Sequence, residues 1–425
     1  EGIPHAGLRR HRRQPARQDR LRRAQSVRAG ADPLFRAGLS VDRKKIMKKI
    51  LIISDINFAP QNEGNKKRIY DMIQIYKECG VTVSFLFIPK NRSDKISQHD
   101  VINGNIYIVH RTLRDKVNLL FSRIRKIIGS IFNINFLMRY KIDEWAPIGA
   151  INKSNNIINK YDAIQCEYAY MSKFLENSTA KLKIIDTHDV FSNRAENISA
   201  HGGKTTWFSV KEAEEKILLE RSSKILAISK SDSDFFKKIT QQDVYTLDFI
   251  SKPKYCWSKT SKGIIFIGSN NRMNLNGINW FFDHVYPILM SHNFNKEIFV
   301  AGKITPSIKH AGKYKKIGFV ESLDDLFAKC EIMINPVDIG TGIPIKNIDA
   351  LSRGIPIVAT NNAARGCEKF YESGMYVAKN NIDFAEKIMS ITKNTDITEK
   401  ASLELFEKYT GLYNESLEKI SKEII

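Results

Sequence analysis

Residues Ile334–Thr360 read INPVDIGTGIPIKNIDALSRGIPIVAT. A short apolar run, Ile332–Asn335, stops at Pro336. Gly340, Thr341 and Gly342 follow as a loop. Pro344 then stands where a helix takes its first residue, with φ preset and no N–H to lose. The helix ends at Gly354, and Pro356 opens a second apolar run that reaches Thr360. This is a strand–loop–helix–strand unit of a parallel sheet. Amides of a Gly-rich loop ahead of a helix attract phosphate oxygens, which makes Gly340–Ile343 a candidate anion cradle. Lys346 falls in the first helical turn, where the helix dipole disfavours a cation unless an anion sits beside it. Asp349, three residues on, shares that face. A carboxylate there can accept two ribose hydroxyls. An ordinary βα turn with a surface Lys–Asp pair has the same spacing.

Runs of the same kind recur outward from this unit. Towards the start they are Ile50–Ser54, Val81–Ile88, Ile106–His110, Ala163–Glu167, Lys183–Asp186 and Ile225–Ser229. Around it they are Ile264–Gly268, Ile298–Gly302 and Met375–Ala378. Such β-branched runs of about four to eight residues read as buried parallel strands. Helical patterns lie between them at Lys66–Cys79, Glu212–Arg221, Ser231–Ile239 and Ile382–Ile391. The strands are too many for one doubly wound sheet of ordinary size. The polar, Pro-broken stretch Ser251–Lys259 separates two groups. The expected class is therefore α/β, with two Rossmann-like doubly wound domains, 47–250 and 251–396, facing a cleft. Ile397–Ile425 reads as helical and is expected to pack back on the first domain. His188 and Asp189 follow the run Lys183–Asp186 at its carboxyl end, which in open α/β sheets faces the ligand crevice. Asp186 and Arg194 are weaker candidates at the same place.

The net charge of +21 is uneven. Residues 1–46 carry +9, mostly from Arg, whereas the rest carries +12 and uses Lys, Ile and Asn. That break marks 1–46 as a non-native or disordered Arg-rich leader, outside fold reasoning; an Arg-rich transit or nucleic-acid arm is the rival reading. The basic body suits anionic partners such as nucleotide phosphates or lipid headgroups. Cys79, Cys166, Cys256, Cys330 and Cys367 lie far apart, with no paired spacing for zinc or a disulfide framework, so a reducing, cytoplasmic setting is expected. No run of eighteen apolar residues occurs, so a membrane span is not expected. Arg111–Lys141 mixes Leu, Ile and Phe with eight basic residues and one acid. It reads either as surface helices packed on the first domain or as an interfacial helix on anionic lipid, possession of both faces serving either role.

The segment GTGIPIKNIDALSRGIPIVAT resembles the donor signature of glycosyltransferase family four, the group 1 glycosyl transferases. Gly268–Leu289, with its Gly, Asn and Trp-Phe positions, resembles the start of that family's second domain. His188–Arg194, Glu214–Phe236, and Met47–Ile53 with Pro60 and Gly64 resemble first-domain elements, in the right order. The resemblance implies the GT-B fold and a retaining, metal-independent transfer of a hexose-type sugar from a nucleotide-diphosphate sugar, with no cofactor. It implies a glycan or lipid-linked acceptor, polysaccharide or lipopolysaccharide synthesis, and a cytoplasmic place, peripheral to the inner membrane face. It assigns His188, Lys346 and Arg272 to catalysis. Donor contacts fall on Gly64, Asn65, Gly268, Asn274, Gly340, Thr341, Gly342, Ile343 and Asp349. The family's two spaced Glu positions fall here on Gly342 and Asp349, and its paired glycines on Gly64-Asn65. A nucleotide-sugar epimerase or hydrolase, a nucleic-acid-binding protein and an inactive paralogue are the alternatives; no nucleic-acid motif is present to favour the second of these classes.

Overall fold

Ile50 and Ile52 point into one core, and Leu51 and Ile53 into another, because successive strand residues face opposite sides of a sheet. With both faces covered, the strand reads as an unbroken apolar run. The computed structural model describes residues 49–61, 63–96, 99–132, 134, 142–194, 208–249, 251–310, 312–320, 322–339 and 343–425. The Arg-rich leader and the Gly340–Gly342 loop fall outside these residues.

The first sheet holds β1 (Lys49–Ser54), β2 (Thr82–Phe87), β3 (Ile106–Ile108), β4 (Ala163–Glu167), β5 (Leu182–Asp186), β6 (Lys224–Ala227) and β7 (Asp243–Thr246). Their order is β3-β2-β1-β4-β5-β6-β7 and every pairing is parallel. The second sheet holds β8 (Ile264–Ile267), β9 (Ile298–Ala301), β10 (Lys315–Gly318), β11 (Ile332–Asn335), β12 (Ile357–Thr360) and β13 (Met375–Ala378). Its order is β10-β9-β8-β11-β12-β13, again parallel throughout. The main helices are α1 (Gly64–Glu78), α2 (Leu113–Ile131), α3 (Ile148–Ile158), α4 (Glu212–Leu219), α5 (Lys230–Ile239), α6 (Arg272–Trp280), α7 (Ile345–Leu351), α8 (Asn381–Ile391) and α9 (Thr395–Lys419).

The fold class expected from the residues is the one observed: two Rossmann-like parallel sheets flanked by helices. β7 and β10 are additions to it. Each is an edge strand, and β10 is mostly exposed and Lys-rich, so neither has the buried run that reveals an inner strand. Pro344 is a correction of one position. It has extended ψ and caps α7, which starts at Ile345. Gly354 has φ +72° just past that helix, a conformation glycine adopts without a Cβ penalty. Residues 247–263 carry the chain from β7 to β8. α9 then returns to the first sheet: the Tyr409 hydroxyl bonds the amide and carbonyl of Ser251, Tyr413 donates to Glu78, and Lys419 donates to the Thr246 carbonyl.

Candidate active site

α1 and α7 start at the same place, one from each sheet. A Cβ added to Gly64 would lie 3.5 Å from the Ile345 side chain, ordinary contact distance. One turn further, Lys67 Nζ reaches Asp349 Oδ1 at 3.2 Å and Asp71 Oδ2 at 3.6 Å. Burial works against the charge on Lys67, yet Asp71 and Asp349 hold its ammonium above the usual lysine range. Burial also raises Asp71, to about 6, against the pull of Lys67. Asp349 therefore does not form the surface pair with Lys346 that its spacing allows; it joins the two sheets through Lys67. Lys67 has no sequence signature beyond its helical position, so only the fold reveals it.

Lys346 is placed differently. Its Nζ donates to Asn274 Oδ1 at 2.8 Å and lies 4.5 Å from the centre of the Phe266 ring. Among the described residues no carboxylate pairs with it. Burial lowers its pKa to about 7. Asn274 is held in turn: its amide bonds Asn271, which caps α6, and its Nδ2 donates to the carbonyl and hydroxyl of Ser269. The carbonyl oxygen of the Asn274 side chain is left to meet the lysine. Phe266, at the end of β8, was not legible as part of this site, since its ring reads as strand core. Arg272 is exposed as the first residue of α6 and makes no hydrogen bond or ion pair among the described residues. The structure does not bring it to Lys346.

Backbone closes the second sheet's side. Gly302 has φ +97°, and a Cβ on it would stand 2.2 Å from the Gly268 carbonyl oxygen. A cavity of about 490 Å³ opens beyond, lined by Gly302, Lys303, Thr305, Pro306, Lys316 and Phe319. Ile343 packs on Gly366, where a Cβ would meet its Cγ1 at 2.6 Å. The other cradle residues, Gly340, Thr341 and Gly342, lie outside the described residues.

On the first sheet's side, β4 and β5 end in a buried hydrogen-bonded chain. The Tyr76 hydroxyl meets Gln165 Oε1 at 2.5 Å, Gln165 Nε2 donates to Glu167 at 2.7 Å, and Glu167 Oε2 meets His188 Nε2 at 2.5 Å. Burial raises Glu167, and His188 opposes that. The His188 ring stacks on Tyr168, with centroids 4.3 Å apart. Tyr168 and His188 have φ of +70° and +56°, a region that side chains other than glycine enter only where surrounding packing imposes it. Two such residues at adjacent strand ends mark a place where local strain is tolerated. Tyr168 also bonds Asn65, tying β4 to the start of α1. Asp186 lies under this chain and is neutralised by Arg68, whose Nε is 2.9 Å from Oδ2. Glu167, Asp186 and His188 form a cluster whose ligand atoms lie within 4.8 Å of one another. Arg68 already supplies a positive charge to it. Asp189 pairs with Arg194, which lies over the Phe191 ring, so these two hold each other at the rim. Glu167 was readable only as the last residue of a strand; its contact with His188 depends on the register of β4 against β5. A second cavity, about 510 Å³, lies at the ends of β1 and β2, with Asp55, Asn57, Glu63, Asn65, Lys66 and Lys90 in its wall.

The arrangement offers, among the described residues, a cation without a carboxylate partner on one side and an oriented imidazole on the other. The family signature agrees with it: residues 261–394 match the model of the glycosyl transferases group 1 family. These residues are a group 1 glycosyl transferase domain. A Klebsiella pneumoniae protein described as an uncharacterized 44.6 kDa protein in the cps region is 23% identical over 380 residues, covering 82% of this chain and 92% of its own length. The sucrose-phosphate synthase of Thermosynechococcus elongatus superposes with a TM-score of 0.61 at 11% identity, over 88% of this chain and 97% of that one. Anabaena HepE, solved with UDP and glucose, superposes with a TM-score of 0.55 at 12% identity, over 89% and 100%. At these identities the structural likeness establishes the GT-B fold. With the group 1 domain in its second half, the chain is a glycosyltransferase of that fold.

Proposed function

We propose that this glycosyltransferase moves a hexose-type sugar from a nucleotide-diphosphate sugar to a glycan or lipid-linked acceptor, in cell-surface polysaccharide or lipopolysaccharide synthesis. The observation that carries the reading is Lys346, a partly buried ammonium held by Asn274 and Phe266 with no carboxylate among the described residues to balance it. A buried cation is costly unless something anionic meets it. A diphosphate does so, and most strongly as its bond to the sugar breaks and charge collects on the leaving oxygen. The sugar carbon–oxygen bond to the diphosphate breaks, and the acceptor oxygen bonds the same carbon. The acceptor attacks from the face that the diphosphate leaves and gives its proton to a phosphate oxygen, so configuration is retained and no protein base or metal is called on. His188, fixed through Nε2, presents Nδ1 for hydrogen bonding to the sugar. The cavity beside Gly302 has room for the rest of the nucleotide. HepE, solved with UDP and glucose, and the cps-region relative are consistent with donor and pathway class.

A thermal-shift screen of nucleotide diphosphates and their sugars tests this. The right donor at about a hundred times its Kd stabilises by about 2.7 kcal/mol, whereas other bases do little. No shift with any of them at millimolar concentration removes the reading. A second expectation concerns protons. Free Lys346 is half-charged near pH 7, because burial lowers it to about 7. A bound diphosphate restores the charge, so at about pH 8 binding takes up nearly one proton and at about pH 6 almost none. Calorimetry in buffers of different ionisation enthalpy reads this directly; equal heats at the higher pH contradict it.

A further inference from the structure

Helix α2 is amphipathic the wrong way round for a helix resting on a globular protein. Leu113, Val117, Leu120, Ile124, Ile127 and Ile131 recur at spacings of four and three, which places them on one face. All six are exposed, Leu113 at 78% and Ile131 at 70%, and Phe121 beside them at 66%. The face turned to the protein is polar instead: Asp115 and Ser122 are buried, and Gly129 follows one turn pair later. Asp115 completes a capping box with Thr112 and accepts the amides of Gly149 and Ala150, at the start of α3, at 2.8 and 3.2 Å. Arg125 pairs with Glu144 at 2.6 Å. Polar contacts thus pin the helix with its apolar stripe outward. An ordinary surface helix does the reverse, and an exposed apolar patch of this extent marks an interaction surface.

Charge selects the occupant. α2 carries Arg114, Lys116, Arg123, Arg125 and Lys126 against one acid, Asp115, which is buried and engaged. By helical spacing Lys116 and Arg123 flank one edge of the stripe and Arg114 the other, and all three are exposed. Long cationic side chains bordering an apolar face can reach phosphate headgroups while the face enters the acyl boundary. No helix among the described residues is long and apolar enough to cross a membrane, so this one would lie in the interface. We propose that the outer face of α2 docks the protein on an anionic lipid bilayer. The residue before its cap, Arg111, is buried and reaches Asp55, in the wall of the 510 Å³ cavity, at 3.4 Å. Docking therefore sets that cavity beside the lipid surface. This consequence for a lipid-linked acceptor rests on the transfer reading, whereas the docking does not.

Vesicle flotation with the full chain tests the docking. The protein partitions onto vesicles of phosphatidylglycerol and phosphatidylcholine, and weakly onto phosphatidylcholine alone. Replacing Leu120, Ile124 and Ile127 together by Asp lowers the partition coefficient by about a hundredfold or more. Arg114→Glu with Arg123→Glu, which leaves the apolar face intact, lowers it by roughly tenfold on the anionic vesicles. Unchanged partitioning in both variants overturns the proposal, because binding then comes from charge elsewhere in the chain. Equal binding to neutral vesicles also overturns it. So does a dimer, seen by light scattering, that the triple Asp variant dissolves while the wild-type protein ignores lipid; the stripe would then belong to a second copy. None of these readouts depends on turnover, so failure here leaves the donor reading intact.

Discussion

Lys346→Ala lowers turnover by about a hundredfold or more, the usual effect of removing one preorganised electrostatic donor. The same variant keeps, or slightly raises, the melting temperature of the free protein. Both effects follow from one fact. The ammonium is partly buried with an aromatic ring and an amide oxygen for company, and burial lowers its pKa to about 7. In the unfolded chain a lysine stays protonated to about 10.4. Between these values the unfolded state holds more protons, so this residue's contribution to stability rises with pH and its cost is fully present below about 7. Alanine removes that cost together with the charge. A merely structural lysine would show the opposite pattern, lost stability with activity kept. Steady-state kinetics beside a melting curve separates the two, and near-native turnover ends the assignment.

The second large effect is on folding. Arg68→Met destabilises the protein by about 3–5 kcal/mol, since it leaves the Asp186 carboxylate buried and unpaired. Arg68 is held at 2.9 Å by Asp186 and at 3.0 Å by the Asp248 carbonyl, and both members of the ion pair are buried. Urea unfolding followed by circular dichroism reads the loss as a fall in midpoint. Combining Arg68→Met with Asp186→Asn recovers much of it, because no buried charge is then stranded. A double variant no better than the single one would show that packing of the guanidinium, and not charge, is what matters. Asp186 is on this account a support for the floor beneath His188 and not a group that meets substrate.

Much of the site follows from where chain segments end. His188 stands out as a candidate because it follows a buried run, and in parallel sheets the carboxyl ends share one side; Lys346 does so because a Gly-rich loop precedes its helical turn, whereas Asn274 and Gly268 come only with the family resemblance. Arg272 also comes from the resemblance, yet its side chain is exposed, a matter of rotamer and neighbours that linear spacing does not encode. Lys67, Glu167, Phe266 and Tyr168 were not legible as site residues. Each carries an ordinary helical or strand signal and gains its role from a residue far along the chain: Asp349, His188, Lys346 and Asn65.

By itself the sequence determined the doubly wound pair of sheets, since unbroken β-branched runs, buried on both strand faces and alternating with helices, admit few other packings. It also determined that α2 has two unlike faces. Only the tertiary structure decided which of those faces turns inward, because that depends on Asp115 finding the amides of Gly149 and Ala150. Only the tertiary structure, too, gave Lys346 to Asn274, with no carboxylate partner among the described residues, while giving Asp349 to Lys67. Local sequence sets what a residue can bond, but which partner it meets is set by how distant segments pack.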